Sequence, residues 1–227
     1  MKAEHFLITI DGPAGAGKTT VSKMLAERLG YRYIDTGALY RGVAFEAVRR
    51  GISSEDDNAI REMCRQLSFR FELVEKQLRL FSGEQDVTDK IRTPEITMMA
   101  SAISARPVVR SFLLGLQREI GREKRVVFEG RDMGTVVFPE AEVKFFLDAS
   151  PHTRAIRRFQ EMKGSSTQTL EQVENDIIRR DTNDSTRAVA PLKAAEDAVR
   201  IDTTELSLDE VIEKMMQTIT GRRQSRI

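Results

Sequence analysis

Near its start the chain reads Gly12-Pro13-Ala14-Gly15-Ala16-Gly17-Lys18-Thr19, and this stretch matches the pattern G-x-x-x-x-G-K-[ST]. Glycines leave room for the backbone to fold around phosphate oxygens, and the helix that follows adds unpaired N–H groups at its positive end. The motif assigns Lys18 to the β and γ phosphates of a nucleotide and Thr19 to Mg²⁺. The sequence therefore predicts a phosphate-binding loop that runs from Gly12 through Thr20.

The residues on either side of this loop support the prediction. The segment 6–10 reads Phe-Leu-Ile-Thr-Ile, which is typical of a strand buried on both faces. After the loop, Val21, Met24, Leu25 and Leu29 recur at helical spacing. Strand, glycine loop and helix follow in the required order, which disfavours the alternative of a glycine-rich turn that binds nothing.

Composition excludes several classes of protein. The chain carries 36 Lys and Arg against 35 Asp and Glu, so its formal net charge of +1 attracts neither nucleic acid nor an anionic membrane. Its single cysteine, Cys64, rules out an internal disulfide framework and fits a reducing compartment. We find neither a signal-peptide pattern nor an apolar run long enough to span a bilayer. We therefore expect a cytoplasmic protein with no nucleic-acid or membrane partner.

The remainder of the chain alternates apolar strands with amphipathic helices. Further strands are predicted at 31–34, 125–129, 143–147 and 199–202, with helices between them and a last helix from 208 to 219. This alternation predicts an α/β fold with a doubly wound parallel sheet. Between 68 and 93 the pattern changes to alternating polar and apolar residues, which predicts a small antiparallel β insert.

Two groups of polar residues follow predicted strands, where open α/β sheets bind their ligands. Asp35, Thr36, Tyr40 and Arg41 follow the second strand, although Asp35 and Thr36 could equally serve only as helix caps. Glu129, Arg131 and Asp132 follow the strand at 125–129 and are candidates for magnesium and phosphate binding. An internal Arg–Asp pair that stabilises a turn is the alternative for the second group.

A helical segment with arginines on two arms is predicted at 154–187. A helix that begins near Pro151 carries Arg154, Arg157 and Arg158, a Gly-Ser-rich break follows at 164–167, and a second helix runs from about 169 to 180. A polar tract from Arg179 to Arg187 comes next. Such an arrangement suits a lid that brings positive charge to a phosphoryl group and excludes water. Each arginine could alternatively face solvent.

Five segments together resemble the bacterial cytidylate kinases, a family of nucleoside monophosphate kinases, along nearly the whole chain. They are 10–19, 35–41, 130–139 (Gly-Arg-Asp-Met-Gly-Thr-Val-Val-Phe-Pro), 187–192 and 201–204. The segment 130–139 is the most specific. The resemblance implies a kinase with a P-loop nucleoside-triphosphatase core, an insert at 68–93 that binds the monophosphate, a lid at about 154–187, and a single kinase domain across 1–227. It implies transfer of the γ-phosphoryl group of ATP to CMP or dCMP, with Mg²⁺.

The resemblance also implies roles for individual residues. Serine and arginine at the positions of Ser101 and Arg110 read the cytosine edge, and Arg180 and Asp184 match residues that contact base and sugar. Arg41, Arg131 and Arg187 match arginines that hold phosphates, and we expect Lys18, Arg131, Asp132 and Arg187 to be catalytic. Other substrate contacts are expected from Asp35, Thr36, Tyr40 and Asp132, and ATP contacts from Arg157 and Arg158. For the metal we expect Thr19 with Glu129 or Asp132.

The chain departs from the family pattern at two positions. Thr36 stands where many relatives have serine, which keeps the hydroxyl. Glu129 stands where relatives often have aspartate, so its longer carboxylate would reach the expected metal site differently.

Two other functions fit the phosphate loop. One is a kinase for another acceptor, such as a different monophosphate or the hydroxyl of shikimate. The other is a nucleotide-dependent switch, but Asn-Lys-x-Asp and Asp-x-x-Gly, which a GTPase needs, are absent from the sequence. Nothing in the sequence requires an oligomer, so we expect a monomer.

Overall fold

The computed structural model describes residues 5–75, 77–162 and 168–224. The chain divides into two compact units, of which the first comprises the residues up to Ile34 and from Glu123 onward. The second unit is Asp35–Arg122 and contains the predicted insert together with four α-helices. No helix in the described ranges has the length and apolar character needed to cross a bilayer.

The elements follow one another in the alternation that the sequence predicts. They are β1 (Leu7–Asp11), α1 (Lys18–Leu29), β2 (Arg32–Asp35), α2 (Thr36–Arg49), α3 (Asp57–Gln66), β3 (Phe69–Val74), β4 (Gln77–Ser82), β5 (Gln85–Asp86), α4 (Pro94–Ile103), α5 (Pro107–Gly121), β6 (Val126–Gly130), β7 (Val143–Asp148), α6 (Pro151–Glu161), α7 (Leu170–Thr186), β8 (Val199–Asp202) and α8 (Leu208–Gln224). A short 3-10 helix at Lys90–Arg92 and a π-helical turn at Met133–Val137 complete the described elements.

The main sheet has five strands in the order β2-β6-β1-β7-β8. β1 is parallel to β6 on one side and to β7 on the other, and β7 is parallel to β8. The last residue of β1, Asp11, lies opposite Gly130 at the end of β6. The carboxyl ends of these strands therefore meet at one edge of the sheet, where ligands bind in folds of this class. The predicted α/β fold is confirmed.

The core of the first unit lies between the sheet and two helices. All five residues of β1 are buried, and Leu25 of α1 and Met215 of α8 pack in the same cluster with no exposed surface. Burying one such side chain contributes about 1.5–3 kcal/mol. This packing holds the start of α1, and with it the phosphate loop, against the end of β1.

The second unit contains the antiparallel sheet that the sequence predicts. β3, β4 and β5 are neighbours in that order, and Phe69 pairs with Ser82 at one end of the hairpin. Phe69 and Leu80 lie on the same face of this hairpin and are buried. Burial of that face is the reason for the alternating pattern between 68 and 82. Leu73 lies on the same face but nearer the other end of the hairpin, where it is exposed.

The structure corrects the predicted ends of two helices in the C-terminal half of the chain. α7 does not end at 180 but continues to Thr186, where the hydroxyls of Thr182 and Thr186 donate to carbonyls of the preceding turn. The tail that we expected to fray from 221 is helical through Gln224, because α8 continues that far. The predicted break at 164–167 and residues 225–227 of the predicted frayed tail lie outside the described residues.

Candidate active site

The phosphate loop connects β1 to α1 and has a backbone that requires glycine. Gly12, Gly15 and Gly17 have φ angles of 148°, 77° and 82°, values that other residues adopt at a cost. At Gly12 a Cβ atom would lie 2.0 Å from the carbonyl oxygen of Leu147. The loop thus passes against the end of β7 at a distance that excludes a side chain.

Lys18 closes the loop. Its Nζ donates to the carbonyl oxygen of Pro13 at 2.6 Å, and the residue is only 4% exposed. Its pKa is lowered to about 7, chiefly by burial and also by the nearby cations Arg131 and Arg180, while Glu129 and Asp11 act in the opposite sense. The ammonium group is therefore held at the loop in an environment that anionic phosphates would stabilise.

A buried carboxylate lies beside the first turn of α1. Glu129 is 8% exposed, and its Oε1 accepts a hydrogen bond from the Thr19 hydroxyl at 2.8 Å. The other oxygen, Oε2, accepts from the Tyr33 hydroxyl at 2.6 Å. Thr19 and Glu129, which we predicted as metal-binding residues, are thus adjacent. Tyr33 was missed, because a tyrosine on an edge strand has no distinctive signal in one sequence.

Arginines and carboxylates alternate in a second group. Arg131 Nε donates to Asp184 Oδ2 at 3.1 Å, and Arg187 lies 3.8 Å from Asp184 Oδ1 and 3.9 Å from Asp132 Oδ1. The side chains of Arg187 and Asp132 are 9% and 3% exposed. The structure therefore brings together four predicted site residues whose positions span more than fifty residues of sequence.

Asp11 links the phosphate loop to this group. Its carboxylate accepts hydrogen bonds from the backbone N–H groups of Met133 at 2.9 Å and Gly134 at 2.8 Å, immediately after Asp132. Burial raises the pKa of Asp11 to about 6, although both hydrogen bonds act in the opposite direction. We did not predict a role for Asp11 from its own residue pattern. A polar residue at the end of an otherwise apolar strand was the available signal.

The arginines of α6 have different surroundings. Arg154 is 3% exposed, donating to the carbonyl oxygens of Ala149 at 2.8 Å and Ala14 at 3.1 Å, and its Nη1 lies 2.5 Å from Asp181 Oδ2. Arg157 donates to the hydroxyl and carbonyl oxygens of Thr203 at 3.0 and 2.7 Å. Arg158 forms an exposed ion pair with Glu161. Arg154 thus joins the phosphate loop to α7.

The remaining predicted substrate residues belong to the second unit. Asp35 caps α2 through the N–H group of Ala38 and also accepts from Arg41 at 2.7 Å. The Arg110 guanidinium lies 5.9 Å from the centre of the Tyr40 ring. These contacts join Asp35 to Arg41 and Tyr40 to Arg110 within this unit.

Two other predicted residues of the second unit differ in exposure. Thr36 is buried at the start of α2, and Ser101 is exposed on α4.

Comparison of the sequence with known proteins points to one family. A sequence model of the cytidylate kinase family matches residues 8–221. The chain is 49% identical over 218 residues to a cytidylate kinase of Geobacter sp. strain M21, covering 95% of this chain and 93% of the relative. It is 48% identical over 220 residues to the cytidylate kinase of Geobacter sulfurreducens, covering 96% and 94%.

Structural comparison supports the fold. The solved structure of shikimate kinase from Bacteroides thetaiotaomicron aligns with a TM-score of 0.51 at 13% identity, covering 96% of this chain and 99% of that one. At this identity the similarity concerns the fold alone. The match over residues 8–221 and the identities near one half are much more specific, and they show that this chain belongs to the cytidylate kinase family.

Proposed function

We propose that this chain transfers the γ-phosphoryl group of ATP to CMP or dCMP and releases ADP with CDP or dCDP. Membership of the cytidylate kinase family supports this donor and these acceptors. The observation that carries the proposal is the alternating group of Arg131, Asp184, Arg187 and Asp132 in the unit that holds the phosphate loop.

The chemistry calls for positive charge more than for a base. The acceptor oxygen already belongs to a phosphate anion, so no strong general base is needed. Two anions must be brought together while charge develops on the transferred group. Lys18 supplies one cation at the loop, and Arg131 and Arg187 supply two more. Asp132 and Asp184 lie beside these arginines and hold them in orientation until the nucleotide binds.

Thr19 and Glu129 have the donor atoms that Mg²⁺ requires. A hydroxyl oxygen 2.8 Å from a buried carboxylate oxygen forms an all-oxygen pair, and Mg²⁺ binds through few protein oxygens together with phosphates. When bound, the ion neutralises charge on the β and γ phosphates. We assign Glu129 this role ahead of Asp132, because Glu129 contacts Thr19 whereas Asp132 lies beside Arg187.

The other proposed contacts follow the family resemblance residue by residue. The ATP phosphates are bound by residues from Gly12 to Thr20, and ATP is also contacted by Arg157 and Arg158. Arg180 and Asp184 bind base and sugar, and the substrate residues of the second unit are Asp35, Thr36, Tyr40, Arg41, Ser101 and Arg110. Hydrogen bonds to the cytosine edge would reject other bases, because a wrong base leaves buried partners unpaired.

The proposal also covers the domain organisation, the oligomeric state and the location of the protein. One kinase domain uses the insert at 68–93 to bind the monophosphate and the segment at about 154–187 as a lid. We also propose that it acts as a cytoplasmic monomer without nucleic-acid or membrane partners. The net charge of +1 argues against those partners, and the single cysteine fits a reducing compartment.

A comparison of acceptors tests the function. ADP release from Mg-ATP is measured with CMP, dCMP, UMP, AMP and shikimate as separate acceptors. We expect rapid release with CMP or dCMP and little with AMP or shikimate. Turnover with shikimate or AMP alone would leave the fold intact and refute the proposed acceptors. Slow release that is indifferent to every acceptor would point to a nucleotide switch.

A further inference from the structure

The Glu129 carboxylate is held at both of its oxygens by hydroxyl groups. Thr19, the first residue after Lys18 on α1, donates to Oε1 at 2.8 Å, and Tyr33 on β2 donates to Oε2 at 2.6 Å. Glu129 is 8% exposed, so few water molecules can replace either donor.

We infer that Tyr33 is a positioning residue, whose hydroxyl holds Glu129 in the orientation that lets its other oxygen accept the Thr19 proton. The inference rests on the proposed function, since it concerns the metal-binding pair of that site. Tyr33 itself is not a ligand in this account. It acts on the metal site only through Glu129.

The need for a second hydroxyl follows from the length of the glutamate side chain. Glutamate has one more rotatable bond than aspartate, so its carboxylate can adopt more orientations. A hydrogen bond from a hydroxyl to a carboxylate is short and strong, and 2.6 Å lies within that range. The tyrosine ring has few rotamers, and the Lys23 ammonium lies 5.8 Å from its centre. A rigid donor thus restrains the more flexible acceptor.

The orientation of Glu129 decides what Thr19 can do. A threonine hydroxyl has a single proton, and here that proton is donated to Oε1. Its lone pairs are then directed away from the carboxylate and are available to a cation. Partners that orient ligating groups in this way typically change metal affinity by about 10-fold or more when they are removed.

A purely structural role for Tyr33 predicts something different. If the hydroxyl only stabilised the edge of the sheet, its loss would lower thermal stability and leave metal dependence unchanged. The measurement must therefore separate nucleotide binding with metal from nucleotide binding without it.

The first experiment compares Tyr33→Phe with a matched control, Tyr31→Phe. The Tyr31 hydroxyl is also an internal hydrogen-bond partner, accepting from Phe6 N and Arg223 Nη2 at 3.2 Å each. Isothermal titration calorimetry measures ADP affinity in Mg²⁺ and in EDTA. We expect Y33F to weaken Mg-ADP binding by about 10-fold and metal-free ADP binding by less than about twofold. Y31F should leave both affinities unchanged.

A double-mutant cycle tests whether Tyr33 acts through Glu129. The shorter carboxylate of Glu129→Asp cannot span the same two donors, so Y33F in this background should change Mg-ADP affinity by less than about twofold. An equal loss in both backgrounds would overturn the inference, and so would a Y33F affinity for Mg-ADP like that of the wild type. The inference would also be overturned if Y33F lost ADP affinity equally in Mg²⁺ and in EDTA.

The outcome can be separated from that of the proposed function. If Y33F weakens Mg-ADP binding but the wild-type chain does not phosphorylate CMP, the inference holds and the proposed acceptor is wrong. If the wild-type chain phosphorylates CMP but Y33F binds Mg-ADP as tightly as the wild type does, the proposed function holds and the inference is wrong.

Discussion

At the residue scale, a lysine with an unusual pKa is at the centre of the site. Lys18 is buried among groups that include Arg131 and Arg180, and its pKa falls to about 7. Without nucleotide, a large share of the molecules at pH 8 therefore carry a neutral lysine. Phosphate oxygens next to the ammonium group favour its charged form.

Nucleotide binding should therefore take up a proton. We expect Mg-ATP binding at pH 8 to be accompanied by uptake of a substantial fraction of one proton by Lys18, since the bound phosphates raise its pKa. Calorimetric binding enthalpies in buffers of different ionisation enthalpy give this number from their slope. The uptake should shrink at pH 6, where Lys18 is already charged. A slope of zero at pH 8 would contradict the account.

A second titrating residue, Asp11, affects stability. Its pKa rises from 3.8 to about 6 because it is buried. The folded state then binds a proton more tightly than the unfolded state, so this contribution to stability is present at low pH and is lost as pH rises through 6. For these two pKa values the contribution falls by about 1 kcal/mol between pH 5 and pH 7.5.

The variant Asp11→Asn isolates this contribution, because it keeps the shape and removes the titration. We expect the free energy of unfolding of the wild type, relative to D11N, to decrease by about 1 kcal/mol from pH 5 to pH 7.5. Urea unfolding at the two pH values measures the difference, and titrating groups that do not interact with Asp11 cancel in the comparison. A difference that does not change with pH, or that changes in the opposite direction, would show that Asp11 does not titrate in this way.

At the scale of elements, the phosphate loop is supported from two directions within the first unit. Asp11, at the end of β1, binds the turn that follows Asp132, and Arg154 of α6 binds the Ala14 carbonyl and Asp181 of α7. The loop is thus joined to the segments that carry Arg131, Asp132, Arg180 and Asp184. A buried arginine with three partners is costly to remove, because its acceptors are left with fewer donors.

Loss of Arg154 should therefore weaken the fold. We expect Arg154→Met to lower the free energy of unfolding by about 2–4 kcal/mol. The carbonyl oxygens of Ala149 and Ala14 would lose a hydrogen-bond donor. Asp181 would lose its ion pair, but water can reach part of its side chain. Urea unfolding measures the loss. The matched control is Arg179→Met on α7, where the exposed pair with Asp176 should contribute less than about 0.5 kcal/mol. Equal effects of the two substitutions would contradict the bracing role of Arg154.

Elements that the sequence predicts well are those with a strong local pattern. β1, the phosphate loop and α1 follow from eight motif residues and their apolar flanks, and the hairpin of β3 and β4 follows from alternation. The end of α7 was wrong because serine and threonine usually favour caps and turns, whereas here Thr182 and Thr186 bond back within the helix. The residue pattern alone did not distinguish these two outcomes.

At the scale of the whole molecule, the features that the sequence could not predict are contacts between residues far apart in the chain. Tyr33 and Glu129 are 96 residues apart, and Asp11 and Met133 are 122 residues apart. No local periodicity encodes such pairs. The resemblance supplied the family, and the structure added the groups that hold its motif residues. The division into two compact units, with the second extending from Asp35 to Arg122 around the predicted insert, also exceeds what the pattern at 68–93 indicated.

The nearly neutral chain also concentrates its charge locally. With a formal net charge of +1, attraction of nucleotides cannot come from a global field. It depends on cations such as Lys18, Arg131 and Arg187, each of which donates to a neighbouring carboxylate or carbonyl oxygen. Such local groups of charge suit the binding of small anions.

The most direct test of the central claim follows the phosphoryl group itself. The chain is incubated with Mg²⁺, ATP labelled at the γ-phosphate and either CMP or dCMP, and the products are separated by anion-exchange chromatography. The account predicts that the label appears in CDP or dCDP, in an amount equal to the ADP formed. Label released as inorganic phosphate at the same rate with and without the acceptor would contradict it.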